Sequence, residues 1–180
     1  MRTRAPTIDP MRECGKLGFP LTLALDLGNS TGWAIRDANG TIHSGTWVLN
    51  SDGQSHDPRR FLRLQARLSS LHAQCGFERI IVERPGMCRS TAAAETLYGL
   101  LGIVLVFAVE RRIPFARVVP QHVKKHAVGK GNANKVQMVA AAKENWPDQA
   151  VRDDNQADAL WLLDYWTSKE AEIDSEETVG

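Results

Sequence analysis

Leu21-Thr-Leu-Ala-Leu-Asp-Leu-Gly-Asn-Ser-Thr-Gly-Trp-Ala-Ile-Arg36 is the stretch on which the fold turns. Its first residues are an apolar run with one threonine, ending on Asp26, which predicts a buried central strand over 21–26. Gly28-Asn-Ser-Thr-Gly32 turns the chain back, and 33–36 makes a second strand. Asp37-Ala-Asn-Gly40 is a hairpin signal, and 41–49 alternates as a third strand. Three hairpin-linked strands at the start of a domain set an antiparallel half-sheet.

The remainder alternates helix and strand. Phe61, Leu64, Leu68 and Leu71 recur at helical spacing, and Gly76 stands just past the helix end. A fourth strand follows over 79–83, then the loop Arg84-Pro-Gly-Met-Cys-Arg89. Ser90 is placed to cap a long apolar helix reaching about 112. The fifth strand is 115–119, between Pro114 and Pro120. A short helix, the polar loop Gly129-Lys-Gly-Asn-Ala133, a helix over about 134–145 and a last helix over about 154–169 complete the chain. This order predicts an α/β domain with a central mixed five-stranded sheet flanked by helices. Residues 1–19 read as a flexible amino-terminal arm, 20–168 as the one folded domain, and 169–180 as an acidic, disordered tail.

Composition narrows the class. With 43% hydrophobic and 24% charged residues, the 180-residue chain reads as one soluble globular domain. Cys14, Cys75 and Cys88 are odd in number and unclustered, which suits free thiols in a reducing compartment and a cytoplasmic location. No secretory signal is recognisable, and the apolar run 92–109 holds Glu95, Thr96, Tyr98 and two glycines, so it reads as a buried or interface helix and no membrane partner is expected. The net charge of +1 conceals an asymmetry: eight Lys or Arg and no acid from Arg111 to Lys143, then eleven acids against Arg152 and Lys169 from Glu144 onward. A basic segment beside clustered carboxylates suits a protein that holds phosphates with one part and metal with another.

Asp26 ends the first strand and Glu83 ends the fourth, after Ile80-Ile-Val82. Acids at buried strand ends are costly unless paired or bound to a cation. The plainer alternatives are a turn-capping Asp26 and an ion pair of Glu83 with Arg79 or Arg84. Asp153-Asp-Asn-Gln-Ala-Asp158 opens the last helix. Asp153 and Asp154 can each cap it, whereas Asp154 and Asp158, four apart, share one face. A divalent metal on oxygen ligands unites these acids. Val123-Lys-Lys125 and Gly129-Lys-Gly-Asn-Ala-Asn-Lys135 present lysines and backbone N–H groups suited to phosphate, without a Walker A pattern. Met87 and Cys88 lie in the loop after Glu83, where packing is the default reading and substrate contact the alternative. An acidic strand end followed by a glycine hairpin is shared with actin-like ATP-dependent phosphotransferases. Those need a second domain, for which this chain lacks the length.

Together, Leu25-Asp-Leu-Gly-Asn-Ser-Thr-Gly-Trp-Ala34, Ile81-Val-Glu-Arg-Pro85, Val119-Pro-Gln-His-Val-Lys-Lys125, the 129–135 loop and Asp154-Asn-Gln-Ala-Asp-Ala-Leu160 resemble, in order and spacing, the RuvC-type Holliday junction resolvases, most of all those of bacteriophages. The resemblance spans about residues 21–165. It implies a ribonuclease H-like fold, a homodimer, two Mg²⁺ or Mn²⁺ ions per site, and nicking of branched DNA: four-way junctions, with forks or flaps as alternatives. Asp26, Glu83 and Asp158 match the family's catalytic carboxylates, and Lys124 and Lys135 its basic residues near the scissile phosphate. Asp154 joins them as the expected fourth ligand. Lys124, Lys125, Lys130, Lys135, Met87 and Arg89 are the expected DNA contacts. Two positions depart from the pattern. Asn155 stands where the family often has an acid or histidine, and Gly86 stands where bacterial members carry a stacking aromatic. A catalytically inactive branched-DNA-binding protein is the non-enzymatic alternative.

Overall fold

Alternation in one strand sets the two layers. In the computed structural model, which describes residues 21–37, 39–50, 57–88 and 90–170 with the backbone of 171–177, β1 runs Thr22–Asp26. Leu23 and Leu25 face one side of the sheet and Ala24 the other, as the period of two requires. β2 (Ser30–Arg36) and β3 (Ile42–Val48) pair with it as an antiparallel meander. β4 (Arg79–Glu83) and β5 (Phe115–Val118) join the other side of β1 in parallel, giving the order β3-β2-β1-β4-β5. The expected mixed five-stranded sheet is present.

Large side chains fill one face. Leu23, Leu25, Ile35, Ile80 and Val82 pack under α1 (Arg59–Cys75) and α2 (Thr91–Arg111) through Leu64, Leu68, Leu100, Val104 and Phe107. Gly76 adopts φ 63° and closes α1, and the Ser90 hydroxyl accepts from the Ala93 N–H to cap α2. The opposite face carries Ala24, Ala34 and Ile81, and α3 (Pro120–Val128), α4 (Lys135–Asn145) and α5 (Asp154–Glu177) cover it. Asn134 and Gln137 form a reciprocal capping box on α4.

Three features differ from expectation. β2 begins at Ser30, so Gly32 lies inside a strand rather than in the turn; Thr31 closes that turn by donating to the Gly28 carbonyl at 2.8 Å. A 3-10 turn at Pro147–Gln149 lies between α4 and α5. α5 continues past 169 into the segment expected as a disordered tail, because 169–177 holds no Gly or Pro and an established helix propagates readily through Glu and Ala. The amino-terminal arm, 1–19, lies outside the described residues.

Candidate active site

Gly32 brings the site together. It sits opposite Asp26 in the β1–β2 register, and a Cβ there would lie 1.9 Å from the Asn155 carbonyl oxygen. Only a glycine lets the first turn of α5 rest on the sheet at this point. That close approach carries Asp154 and Asp158 to the end of β1. Asp26 exits β1, Glu83 exits its parallel neighbour β4, and Asp158 projects from α5, so three distant segments converge at one edge. From sequence this glycine is expected in a turn; a glycine flanked by strand-forming residues is the signal that places it inside β2.

The electrostatics show mutual proximity. Asp26, Glu83 and Asp158 are each half-buried. Burial, then the charges of Asp158 and Glu83, hold the Asp26 carboxyl well above the ordinary carboxylate range. Burial and the Asp158 charge push Glu83 up to about 7. Burial and Asp154 push Asp158 up to about 6. Three carboxylates sharing a field resist ionising together. Among the described residues no set of three His, Cys, Asp or Glu side chains is already drawn to coordination distance; the acids share a field rather than a point. As a donor set they fit a hard divalent cation, being oxygen-only, partly desolvated and mutually repelling.

Two lysines face this field. Lys135, the first residue of α4, donates to the Asp154 carboxylate, and that bond is the main reason its pKa is raised; Asp158 and Asp26 contribute at longer range. The same bond holds Asp154 below the usual carboxylate range. Lys124, on α3, opposes the upward shifts of Glu83 and Asp158. The structure therefore brings together Asp26, Glu83, Asp158, Asp154, Lys124 and Lys135. Asp153 stands apart from this group: it accepts from the Gln156 N–H at 2.8 Å and the Thr46 hydroxyl at 2.7 Å, capping α5.

The remaining expected contacts are peripheral. Lys125 and Lys130 are exposed on α3 and the loop behind it, and Met87 stands fully exposed after β4. Arg89 lies outside the described residues. His126 is held at 2.7 Å by Asp164, on the side of α5 that packs against α3, and takes no place among the acids.

The mixed five-stranded sheet flanked by helices is the ribonuclease H-like fold. The chain belongs to the RuvC family: residues 24–162 match its sequence model, described as crossover junction endodeoxyribonuclease RuvC. Proteins of that name from Gluconobacter oxydans and Parvibaculum lavamentivorans are 28% identical over 72% of this chain and 78% of theirs, and 27% identical over 78% and 82%. Among solved structures, RuvC of T. thermophilus in complex with Holliday junction substrate matches with a TM-score of 0.65 and 24% identity, over 80% of this chain and 90% of that one. The yeast mitochondrial Holliday junction resolvase Ydc2 matches with a TM-score of 0.61 and 17% identity, over 86% and 80%. This is a Holliday junction resolvase endonuclease, a DNA-binding enzyme of recombination and repair.

Proposed function

We propose that the chain nicks branched DNA, four-way junctions above all, by phosphodiester hydrolysis at the Asp26–Glu83–Asp158 cluster. The observation that carries this reading is the convergence of acids from the adjacent ends of β1 and β4 and from the start of α5, which Gly32 lets rest on the sheet. Nucleases of this family are metal-dependent, and the three acids, with Asp154 beside them, would hold two Mg²⁺ or Mn²⁺ ions. Bound there, such ions supply activation of an attacking water and stabilisation of the departing oxygen. The protein's own groups do the rest. Lys124 and Lys135 place positive charge where the phosphate gains negative charge, and Asp154 holds the Lys135 ammonium in position. Lys125, Lys130, Met87 and Arg89 extend the DNA-contacting surface.

The working unit we propose is a homodimer. α2 is long and apolar enough to cross a membrane by composition, yet it connects the parallel neighbours β4 and β5, so both its ends are tied to one sheet. Its outward residues Tyr98, Val106 and Val109 are 55%, 54% and 77% exposed. A mate would cover them and set two sites for symmetric strands. A DNA substrate places the work in the cytoplasm of a prokaryotic cell or a phage's host.

The test is incubation with labelled four-way, forked and linear duplex DNA, with Mg²⁺, Mn²⁺ or chelator, products being mapped on a gel. Symmetric nicks in the four-way substrate that vanish with chelator are expected. Equal cleavage of linear duplex would defeat the reading, and light scattering that finds only a 19.9 kDa species would defeat the dimer.

A further inference from the structure

On the far side of the catalytic corner, the free edge of β3 opens into a cleft of about 690 Å³, a volume within the range of ligand sites. The hydrogen-bond phase of the hairpin shows which backbone groups face it. Asp37 N–H donates to the Thr41 carbonyl at 2.8 Å, so Thr41 points toward β2. The Ile42 carbonyl points outward, where the Gln149 amide donates to it at 2.7 Å. In an antiparallel ladder the phase alternates. Ser44, Thr46 and Val48 therefore also turn their N–H and carbonyl groups outward, into the cleft.

Its walls are aromatic and basic. Trp33 stacks on Trp47 at 5.6 Å between ring centroids. Gly45 leaves room for the Trp33 indole, which would meet a Cβ there at 3.1 Å, and Trp33 is half-buried. Arg67 from α1 and Arg152 from the approach to α5 line the cleft and are exposed. Among the described residues neither guanidinium has a carboxylate partner. The acid in the wall, Asp153, is already taken up by Thr46 and the α5 cap.

The cleft also lies in line with the chemistry. Asp26 pairs with Gly32, and Gly32 with Thr46, so the cleft is two strand spacings from the first catalytic carboxylate, about 10 Å. That is roughly three base-pair steps along a duplex axis.

We propose that this edge holds one strand of a DNA arm as it leaves the active site. Arg67, Arg152 and the outward N–H groups of β3 take phosphates, and Trp33 offers a surface for a base or sugar. The assignment rests on the nuclease reading above and adds a contact surface opposite the lysines of α3 and α4.

The experiment measures four-way junction binding by wild type and Arg67→Ala/Arg152→Ala across a salt series, alongside wild-type nicking. Loss of two phosphate contacts should flatten the slope of log affinity against log salt by about 1.8, with binding weaker by about 60-fold near 0.1 M salt. Both arginines are exposed, and unchanged melting of the variant confirms the fold. In parallel, strands carrying 5-bromodeoxyuridine should photo-crosslink to the peptide containing Trp33. Wild-type affinity and slope in the double variant, with crosslinks only to α3 and α4, overturn the assignment while leaving the nuclease reading intact. If wild type neither binds nor nicks junctions, both readings fall.

Discussion

Two clusters of charge in this molecule place carboxylates in opposite surroundings. At the start of α1, Asp57 accepts from Arg59 Nε and Arg63 Nη1, both at 2.8 Å. Fully buried Arg60 donates to the Asp57 carbonyl at 2.7 Å, to Asn29 Oδ1 at 2.6 Å and to Thr96 Oγ1 at 3.1 Å. The Arg59 hydrogen bond leads in holding the Asp57 carboxyl far below the usual carboxylate range. At the end of β1 the acids face one another instead, and their protons are held more tightly. The Asp57 carboxylate is matched by arginines within the chain. The acids proposed to serve chemistry are left for something that binds, at a cost in stability.

The largest expected effect tests that cost. Asp26→Asn or Glu83→Gln should reduce junction nicking by at least about a thousandfold, leave binding to phosphates in place, and raise the melting temperature of the metal-free protein. The sign follows from the titrations. These acids hold protons to higher pH folded than unfolded, so their contribution to stability falls as pH rises from about 4 to about 7. Asp57 has the opposite shift: its contribution is full above about 4 and is lost below it. Melting of metal-free protein from pH 3 to 8 should therefore show an optimum near the acid end. A flat profile from pH 5 to 8, or a carboxamide variant that melts lower, would break the contrast.

Gly32→Ala comes next. Its Cβ would press on the Asn155 carbonyl, so α5 must shift or the sheet must give, costing about 2–3 kcal/mol. Displacing Asp158 by about 1 Å should slow nicking by about a hundredfold. A variant that melts and cleaves as wild type would show that α5 does not depend on this contact.

Arg60→Ala should act through stability first. It removes the guanidinium donor from Asn29, Thr96 and the Asp57 carbonyl, which keeps only the residue-60 N–H at 3.3 Å, and it empties a buried stem, a loss of about 3 kcal/mol, or about 10 °C in melting temperature. Nicking at a temperature well below melting should fall much less than in the carboxylate variants. A fall as large as theirs would place this knot in the chemistry and erase the division between the clusters.

The smallest expected difference separates two neighbours. Asp154→Asn removes the charge that holds Lys135 and should slow nicking about tenfold. Asp153→Asn should cost less, since asparagine caps a helix as well as aspartate does. Equal losses would mean that both serve only the start of α5.

Asp26 and Glu83 were legible from sequence because an acid after an apolar strand is expensive, and Asp158 because an acid four residues inside a helix start is more than a cap requires. The order of strands and helices was legible for a similar reason, since periodicity and turn chemistry are local. The partner of Asp154 was not, because Lys135 lies 19 residues away and meets it only when α4 packs beside α5. The role of Gly32 was hidden for the same reason, and the Arg60 knot joins α1 to Asn29 and Thr96, 31 and 36 residues distant.

What the sequence determined by itself was the set of elements, the identity of the acids and the family pattern they compose, all written in short-range spacing. Tertiary structure alone decided how those acids act on one another. Burial and mutual repulsion, which raise their pKa values, depend on distances that exist only after β1, β4 and α5 have packed.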